Sequence, residues 1–191
     1  MFPTSPLLRR VALAALAIIV LVPVSAKPAA AQDFFSFLWG GGSRQTVSFP
    51  SSYSPRQLIV SFADRKLYWV YSRGEAISYP IAVPKGDARW SGVARISSKR
   101  VNPSWTPTPQ MRRENPKLPA FVPGGHPRNP LGVRALYIGG TLYRIHGTDA
   151  PWTIGTAVSH GCIRMYNDDV LDLYPRVPVG TKVTVTWKRF T

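Results

Sequence analysis

The chain has 191 residues, a formal net charge of +15 at pH 7 and a single cysteine. One cysteine excludes an internal disulfide, and basic residues spread along the chain without a nucleic-acid-binding signature argue against a nucleic-acid partner. A surface of this charge favours an anionic partner, and the alternative is a basic surface without a specific partner.

The N-terminal segment predicts a secretory signal peptide. Arg9 and Arg10 precede an uncharged apolar run, 11–22, that is too short to span a bilayer comfortably, and Ala29-Ala30-Ala31 offers a small-residue cleavage site. We therefore expect export to the periplasm or cell envelope, and the alternative is an uncleaved N-terminal anchor.

The sequence predicts three parts of the chain: a signal peptide (1–31), a linker rich in Gly, Ser and Pro (32–56) and one domain (57–191).

Short β-prone runs dominate the predicted domain. The segments 58–62 and 66–71 flank a polar break and predict a hairpin. Further strands are predicted at 76–83, 92–101 and 183–187, and a second hairpin at 134–138 and 141–145. This spacing predicts a mostly β domain, a compact sandwich or barrel.

Two other segments differ from the strands. The segment 102–130 is rich in Pro and Gly and predicts a long ordered loop; loops of this length in a compact domain are usually functional or disordered. One short helix is predicted after the cysteine, with Asn167 as its N-cap and with Asp168 and Asp169 in its first turn, where the helix dipole favours negative charge.

The sequence RIHGTDAPWTIGTAVSHGCIRM, from Arg144 to Met165, contains two of the three histidines and the only cysteine. A cysteine that follows a glycine can present main-chain N–H groups to a substrate oxygen, so Gly161 and Cys162 are candidates for an oxyanion hole. A cysteine needs a base or a positive field to react as a thiolate at neutral pH. His146 and His160 are both candidates for that base, and spacing alone does not choose between them. The alternative is a buried, inert cysteine.

The remaining histidine, His126, is interpreted as an ordinary loop residue. The histidines and the cysteine lack any close metal-ligand spacing, and the chain shows neither a phosphate-binding glycine loop nor a cofactor fingerprint. We therefore expect no metal and no cofactor.

The quoted stretch resembles the active-site motif of the L,D-transpeptidases, the YkuD-type domain that remodels bacterial peptidoglycan. The proline-rich loop and the closing segment VPVGTKVTV are similar to the family as well, so the resemblance covers 58–187. It implies a mostly β catalytic domain. Its implied site residues are Cys162 as nucleophile, His146 as general base oriented by the Gly147 main chain, Ser159 and His160 as residues that shape the site, and Arg164 as a substrate-carboxylate or loop-ordering residue.

The resemblance also implies a reaction on peptidoglycan stem peptides. A tetrapeptide donor loses its terminal D-Ala, and an amine acceptor from a second stem or from an envelope protein takes the acyl group. Water as acceptor would make the protein an L,D-carboxypeptidase. Two alternatives from other classes are a basic, non-catalytic wall-binding module and a conventional cysteine peptidase with a third orienting side chain. We expect a monomer.

Overall fold

The computed structural model describes residues 44–191, and the predicted signal peptide and the first part of the predicted linker lie outside this range. Two α-helices and two 3-10 helices, Gly86–Ala88 and Pro151–Thr153, accompany the strands in the described range. The α-helices are α1 (Pro109–Glu114) and α2 (Asn167–Arg176). The strands are β1 (Gln45–Ser48), β2 (Gln57–Ser61), β3 (Lys66–Ser72), β4 (Glu75–Pro80), β5 (Val83–Pro84), β6 (Gly92–Val101), β7 (Arg134–Ile138), β8 (Arg144–His146), β9 (Ala157–Ser159), β10 (Ile163–Arg164) and β11 (Lys182–Thr186).

The described residues are mostly β, as predicted. Nine strands form one sheet in the order β1-β4-β3-β2-β11-β6-β7-β8-β10, and β5 pairs with β9. The pairing of both predicted hairpins is confirmed, because β2 pairs antiparallel with β3 and β7 pairs antiparallel with β8. The second strand of the second hairpin begins at Arg144 and not at Thr141 as predicted. The last strand, β11, pairs parallel with β2 and antiparallel with β6, so it joins the two halves of the sheet.

Side-chain alternation along β2 supplies two separate cores. Leu58 and Val60 belong to the main core, which includes Val170 and Leu173 of α2, whereas Ile59 belongs to a smaller cluster. Successive side chains of a strand point to opposite faces, so a strand that is buried throughout serves both. The main core therefore holds α2, the helix that follows Cys162 in the chain, against the sheet.

Part of the segment predicted as a linker, 32–56, forms a strand in the described residues, and the division of the chain at these bounds stays a prediction. Residues Gln45–Ser48 form the strand β1, which pairs antiparallel with β4, and the ring of Phe49 is buried in the smaller cluster. Residues 45–49 therefore pack on the domain. The Ser- and Pro-rich composition predicts a linker, because composition carries no information about a strand partner that lies 27 to 33 positions away in the chain.

The Pro- and Gly-rich segment is ordered, and it contains a helix that the sequence did not predict. Thr108 caps α1 by accepting a hydrogen bond from the main-chain N–H of Met111 at 3.2 Å. Trp105, Val122 and Leu131 form a small core of their own beneath this helix. The segment therefore has internal packing and presents α1 as a preformed element.

Candidate active site

A cavity of about 1040 Å³ lies between α1 and the segment that carries the cysteine. The structure brings five of the residues predicted for the site into the lining of this cavity: His146, Ser159, His160, Cys162 and Arg164. Gly147 and Gly161 are buried directly beside them in the chain. Residues that are distant in sequence thus form one continuous site.

Strand pairing explains how the cysteine reaches the histidine. β10 begins directly after Cys162 and pairs parallel with β8, with Arg164 opposite His146. The register continued toward the N-terminus by two residues from this pair places Cys162 alongside Arg144. Because side chains two residues apart on a strand share a face, these four residues project to the cavity side, and all four line it.

His146, the last residue of β8, is 3% exposed. Its Nδ1 lies 2.5 Å from the carbonyl oxygen of Gly147, and since a carbonyl only accepts, Nδ1 carries the proton and Nε2 is left free. Burial, together with the guanidinium groups of Arg164 and Arg144, lowers the pKa of His146 to about 3. The imidazole is therefore neutral at neutral pH and is able to accept a proton at Nε2.

Cys162 is half-buried, and its thiol has a polar contact with a residue that the sequence did not single out. Arg144 Nη1 lies 4.0 Å from Cys162 Sγ. No hydrogen bond joins His146 to Cys162 within residues 44–191, and such bonds are often long before a substrate binds. The thiol thus lies beside a permanent positive charge.

The hydroxyl of Ser159 shapes the turn before the cysteine. It donates to the carbonyl oxygen of Cys162 and accepts from the main-chain N–H of Gly161 at 3.4 Å. The N–H of Gly161 is therefore directed toward Ser159 in this structure. The N–H of Cys162 makes no hydrogen bond to any residue of 44–191, which leaves it available to a substrate oxygen.

Gly161 has no room for a side chain. Its φ is +134°, and a Cβ at this position would lie 2.0 Å from Tyr143 Cε1. The ring of Tyr143 is held in turn by a stack on Trp90, with centroids 5.6 Å apart and an interplanar angle of 7°. The aromatic pair fixes the main chain next to Cys162, and only glycine fits there.

His160 faces α1. Its Nε2 lies 2.7 Å from Glu114 Oε2, at the end of the helix, so it links the cysteine segment to the loop that borders the cavity. His126 does not line the cavity. It is exposed, and its Nδ1 accepts from the main-chain N–H of Arg128 at 3.1 Å, a local loop contact.

Asn167 is not the N-cap that the sequence predicted, because Tyr166 occupies that position without a side-chain cap. Its Oδ1 instead accepts from the N–H of Thr148 at 3.2 Å and of Val133 at 3.4 Å, and its Nδ2 donates to the carbonyl of Thr148 at 3.0 Å. The amide thereby anchors the main chain directly after His146 and Gly147. Its partners lie 19 and 34 positions away, and no local sequence signal points to them.

Two further observations concern the described range only. Within residues 44–191, no group of three or more His, Cys, Asp or Glu side chains is arranged to hold a metal ion. Among the helices of that same range, none is both long and apolar enough to cross a membrane.

Comparison with known proteins identifies the family. Residues 55–185 match the family model of the L,D-transpeptidase catalytic domain, YkuD. This chain belongs to that family. It is 43% identical over 135 residues to the probable L,D-transpeptidase ErfK/SrfK of Escherichia coli. The aligned region covers 67% of this chain and 43% of that protein. It is 37% identical over 138 residues, 72% of each chain, to a putative L,D-transpeptidase of Fuscovulum blasticum encoded in the ATP synthase subunits region. The chain thus spans less than half the length of the E. coli relative.

Solved structures agree on the fold. L,D-transpeptidase 3 from Mycobacterium tuberculosis superposes with a TM-score of 0.54 at 15% identity, over 68% of this chain and 60% of that one, which shows the fold alone. A Brucella melitensis protein named a probable carnitine operon oxidoreductase is 44% identical, with a TM-score of 0.50 over 75% of this chain and 92% of that one. The family model and the curated relatives agree with each other on the L,D-transpeptidase domain, and the Brucella name stands apart from them.

Proposed function

We propose that this protein is an exported peptidoglycan L,D-transpeptidase that transfers an acyl group through a thioester on Cys162. The observation that carries the proposal is that one cavity is lined both by Cys162, directly before β10, and by His146, at the end of the paired strand β8. Nucleophilic catalysis by cysteine needs a nearby base whose own orientation is fixed, and the Gly147 carbonyl fixes the His146 ring.

The first step acylates the enzyme. Cys162 Sγ attacks the carbonyl carbon of the third residue of a tetrapeptide stem, while His146 Nε2 accepts the thiol proton. The C–S bond forms, the C–N bond to D-Ala breaks, and the imidazolium returns the proton to the leaving amine. The main-chain N–H groups of Cys162 and Gly161 are proposed to stabilise the oxyanion, which requires the Gly161 N–H to turn from Ser159 as the substrate enters.

The second step releases the acyl group. An acceptor amine, deprotonated by His146, attacks the thioester carbonyl, an amide forms, and the C–S bond breaks to restore the thiol. A second stem as acceptor gives a 3→3 cross-link, and a lysine of an envelope protein gives a protein anchored to the wall. Water as acceptor would give an L,D-carboxypeptidase, because the residues that acylate the enzyme are the same in each case.

Charge supports a cell-envelope setting. Residues 44–191 contain 21 basic and 8 acidic side chains, a formal net charge of +13. Such a surface attracts anionic wall polymers or lipid, and no basic, nucleic-acid-binding motif accompanies it. Export itself is proposed from the sequence pattern of residues 1–31, and we propose that the protein acts as a monomer.

The test is the intact mass of the purified protein after incubation with a carbapenem, a class of compound that the family resemblance implies will acylate the cysteine. One adduct is expected in the wild type and in the control His126→Ala, whose imidazole lies outside the cavity, and none in Cys162→Ala. Absence of an adduct in the folded wild type would favour the non-catalytic wall-binding module. Incubation with tetrapeptide muropeptides then identifies the acceptor, because a cross-linked dimer and a tripeptide differ in mass.

A further inference from the structure

The wall of the cavity carries positive charge. Arg113, Arg144 and Arg164 line it, and no Asp or Glu is among the lining residues that the structure describes. The nearest acidic residue on α1, Glu114, is engaged by His160. A concave surface lined by one sign of charge attracts ligands of the opposite sign, so this cavity favours a ligand that carries a carboxylate.

Arg144 is the arginine of this wall that is best placed to receive such a group. Its Nε is buried without a hydrogen-bond partner in residues 44–191, and its guanidinium rests on the ring of Tyr137, 5.3 Å from the centroid. Its one side-chain hydrogen-bond contact is the long one to Cys162 Sγ. Six arginines outside this wall donate to oxygen atoms of this chain: Arg65, Arg89, Arg95, Arg112, Arg134 and Arg176. Within the wall, the buried Nε without a partner and the approach to Cys162 Sγ distinguish Arg144 from Arg113 and Arg164. A buried N–H that lacks an acceptor is unfavourable until a ligand supplies one.

The distance to the nucleophile matches the position of one particular substrate group. A reactive complex holds the attacked carbonyl about 3–3.5 Å from the sulfur. The carboxylate of the leaving residue belongs to the next residue along the peptide, so it lies within about one residue length, ~3.8 Å, of the scissile bond. A guanidinium 4.0 Å from Sγ is within reach of that carboxylate, and its planar fork binds a carboxylate through two parallel hydrogen bonds.

We propose that Arg144 binds the terminal carboxylate of the donor peptide and so restricts the enzyme to donors that end in a free carboxylate. This inference rests on the proposed acyl transfer and adds the residue that selects the donor.

Binding of the carboxylate at Arg144 would also affect His146, the proposed base. Arg144 is one of two guanidinium groups that help to hold the pKa of His146 low, and a bound carboxylate offsets that charge and favours proton transfer to the imidazole.

The test compares two donors, the tetrapeptide and the same peptide with its C-terminal carboxylate converted to an amide. Release of D-alanine or D-alaninamide is followed in the wild type, Arg144→Gln and the matched control Arg113→Gln, which removes a cavity charge that does not contact Cys162. The wild type is expected to favour the acid by about 10- to 100-fold in kcat/KM, the effect of one charged hydrogen-bonded pair. Arg144→Gln should bring this ratio close to one, mainly by raising KM for the acid, and Arg113→Gln should leave it in place.

The outcomes are separable. Equal losses for both donors in Arg144→Gln would overturn the proposal, because the guanidinium would then act on the nucleophile and not on the donor. Loss of the preference in Arg113→Gln alone would also overturn it. If Arg144→Gln turns over too slowly, calorimetric binding of the acid and the amide to Cys162→Ala, with and without Arg144→Gln, decides the question without chemistry. A wild type that releases neither leaving group contradicts the proposed function itself, whereas one that releases both equally overturns only the role of Arg144.

Discussion

Two buried ionisable groups have pKa values that are shifted in opposite senses, and together they predict a compensation in the pH dependence of stability. Burial lowers the pKa of His146 from 6.5 to about 3. Asp169, in the first turn of α2, is fully buried, and neither of its carboxylate oxygens has a hydrogen-bond partner in residues 44–191, although Arg44 Nη1 lies 3.7 Å from its Oδ1. Burial raises the pKa of this carboxyl from 3.8 to about 7, against the lowering effect of the Arg44 guanidinium.

As the pH falls, the two pKa shifts change the free energy of unfolding in opposite directions. His146 binds a proton more readily in the unfolded chain, so its contribution to stability is lost as the pH falls below 6.5 toward 3. Asp169 binds a proton more tightly in the folded state, so acidification below pH 7 stabilises the fold through this residue. At about 1.4 kcal/mol per pKa unit, each group changes the free energy of unfolding by about 3 kcal/mol between pH 7 and pH 4, and the two changes nearly cancel.

We expect single replacements to expose each contribution. In urea unfolding at pH 4, 5.5 and 7, Asp169→Asn should lose about 3 kcal/mol more than the wild type on acidification, because only the His146 contribution remains. His146→Asn should gain about 3 kcal/mol relative to the wild type over the same interval. The double variant should run parallel to the wild type. Comparing changes with pH removes the constant cost of each substitution.

Single variants whose unfolding free energies follow the wild-type pH dependence would contradict both pKa shifts. That result would mean that these two side chains titrate alike in the folded and the unfolded chain, and that their burial is offset by solvent or by neighbouring charges. If only one variant deviates from the wild type, the pKa shift of the residue replaced in that variant is supported and the shift of the other residue is rejected.

Three further predictions concern the site. His146→Ala should lower the rate of cysteine acylation by about 10²- to 10⁴-fold at neutral pH, and part of the rate should return at alkaline pH, where a thiol ionises without a base. His160→Ala should show no such recovery. The measurement is the pH profile of carbapenem acylation for both variants, and the reverse pattern would make His160 the base. Gly161→Ala should fold with a displaced cysteine turn and lose carbapenem labelling, because its Cβ would meet the Tyr143 ring at 2.0 Å; full labelling would contradict this. Asn167→Ala should lower the free energy of unfolding by about 1–3 kcal/mol, since it leaves buried main-chain groups unpaired, and should lower kcat more than it raises KM; an unchanged urea midpoint would count against it.

The sequence alone determined the features that depend on neighbouring residues. Alternation of apolar side chains predicts β2 and β3 as a hairpin, and the structure confirms the pair with β2 antiparallel to β3. The quoted motif indicates a reactive cysteine with a histidine partner, because thiol chemistry requires those residue types. Spacing did not choose between His146 and His160, and the family resemblance made that choice.

Tertiary structure decided everything that depends on partners far along the chain. The first-turn position of Asp169 indicates a favourable place for a charge, but packing of α2 on the sheet buries the carboxylate and reverses that expectation. The amide of Asn167 binds main chain 19 and 34 residues away instead of capping its helix. Arg144 reaches the cysteine only because β10 pairs with β8 in parallel register. A linear pattern specifies local conformation and chemical type, whereas burial, register and close approach arise when distant segments pack together, and here they set the charge and the geometry of the site.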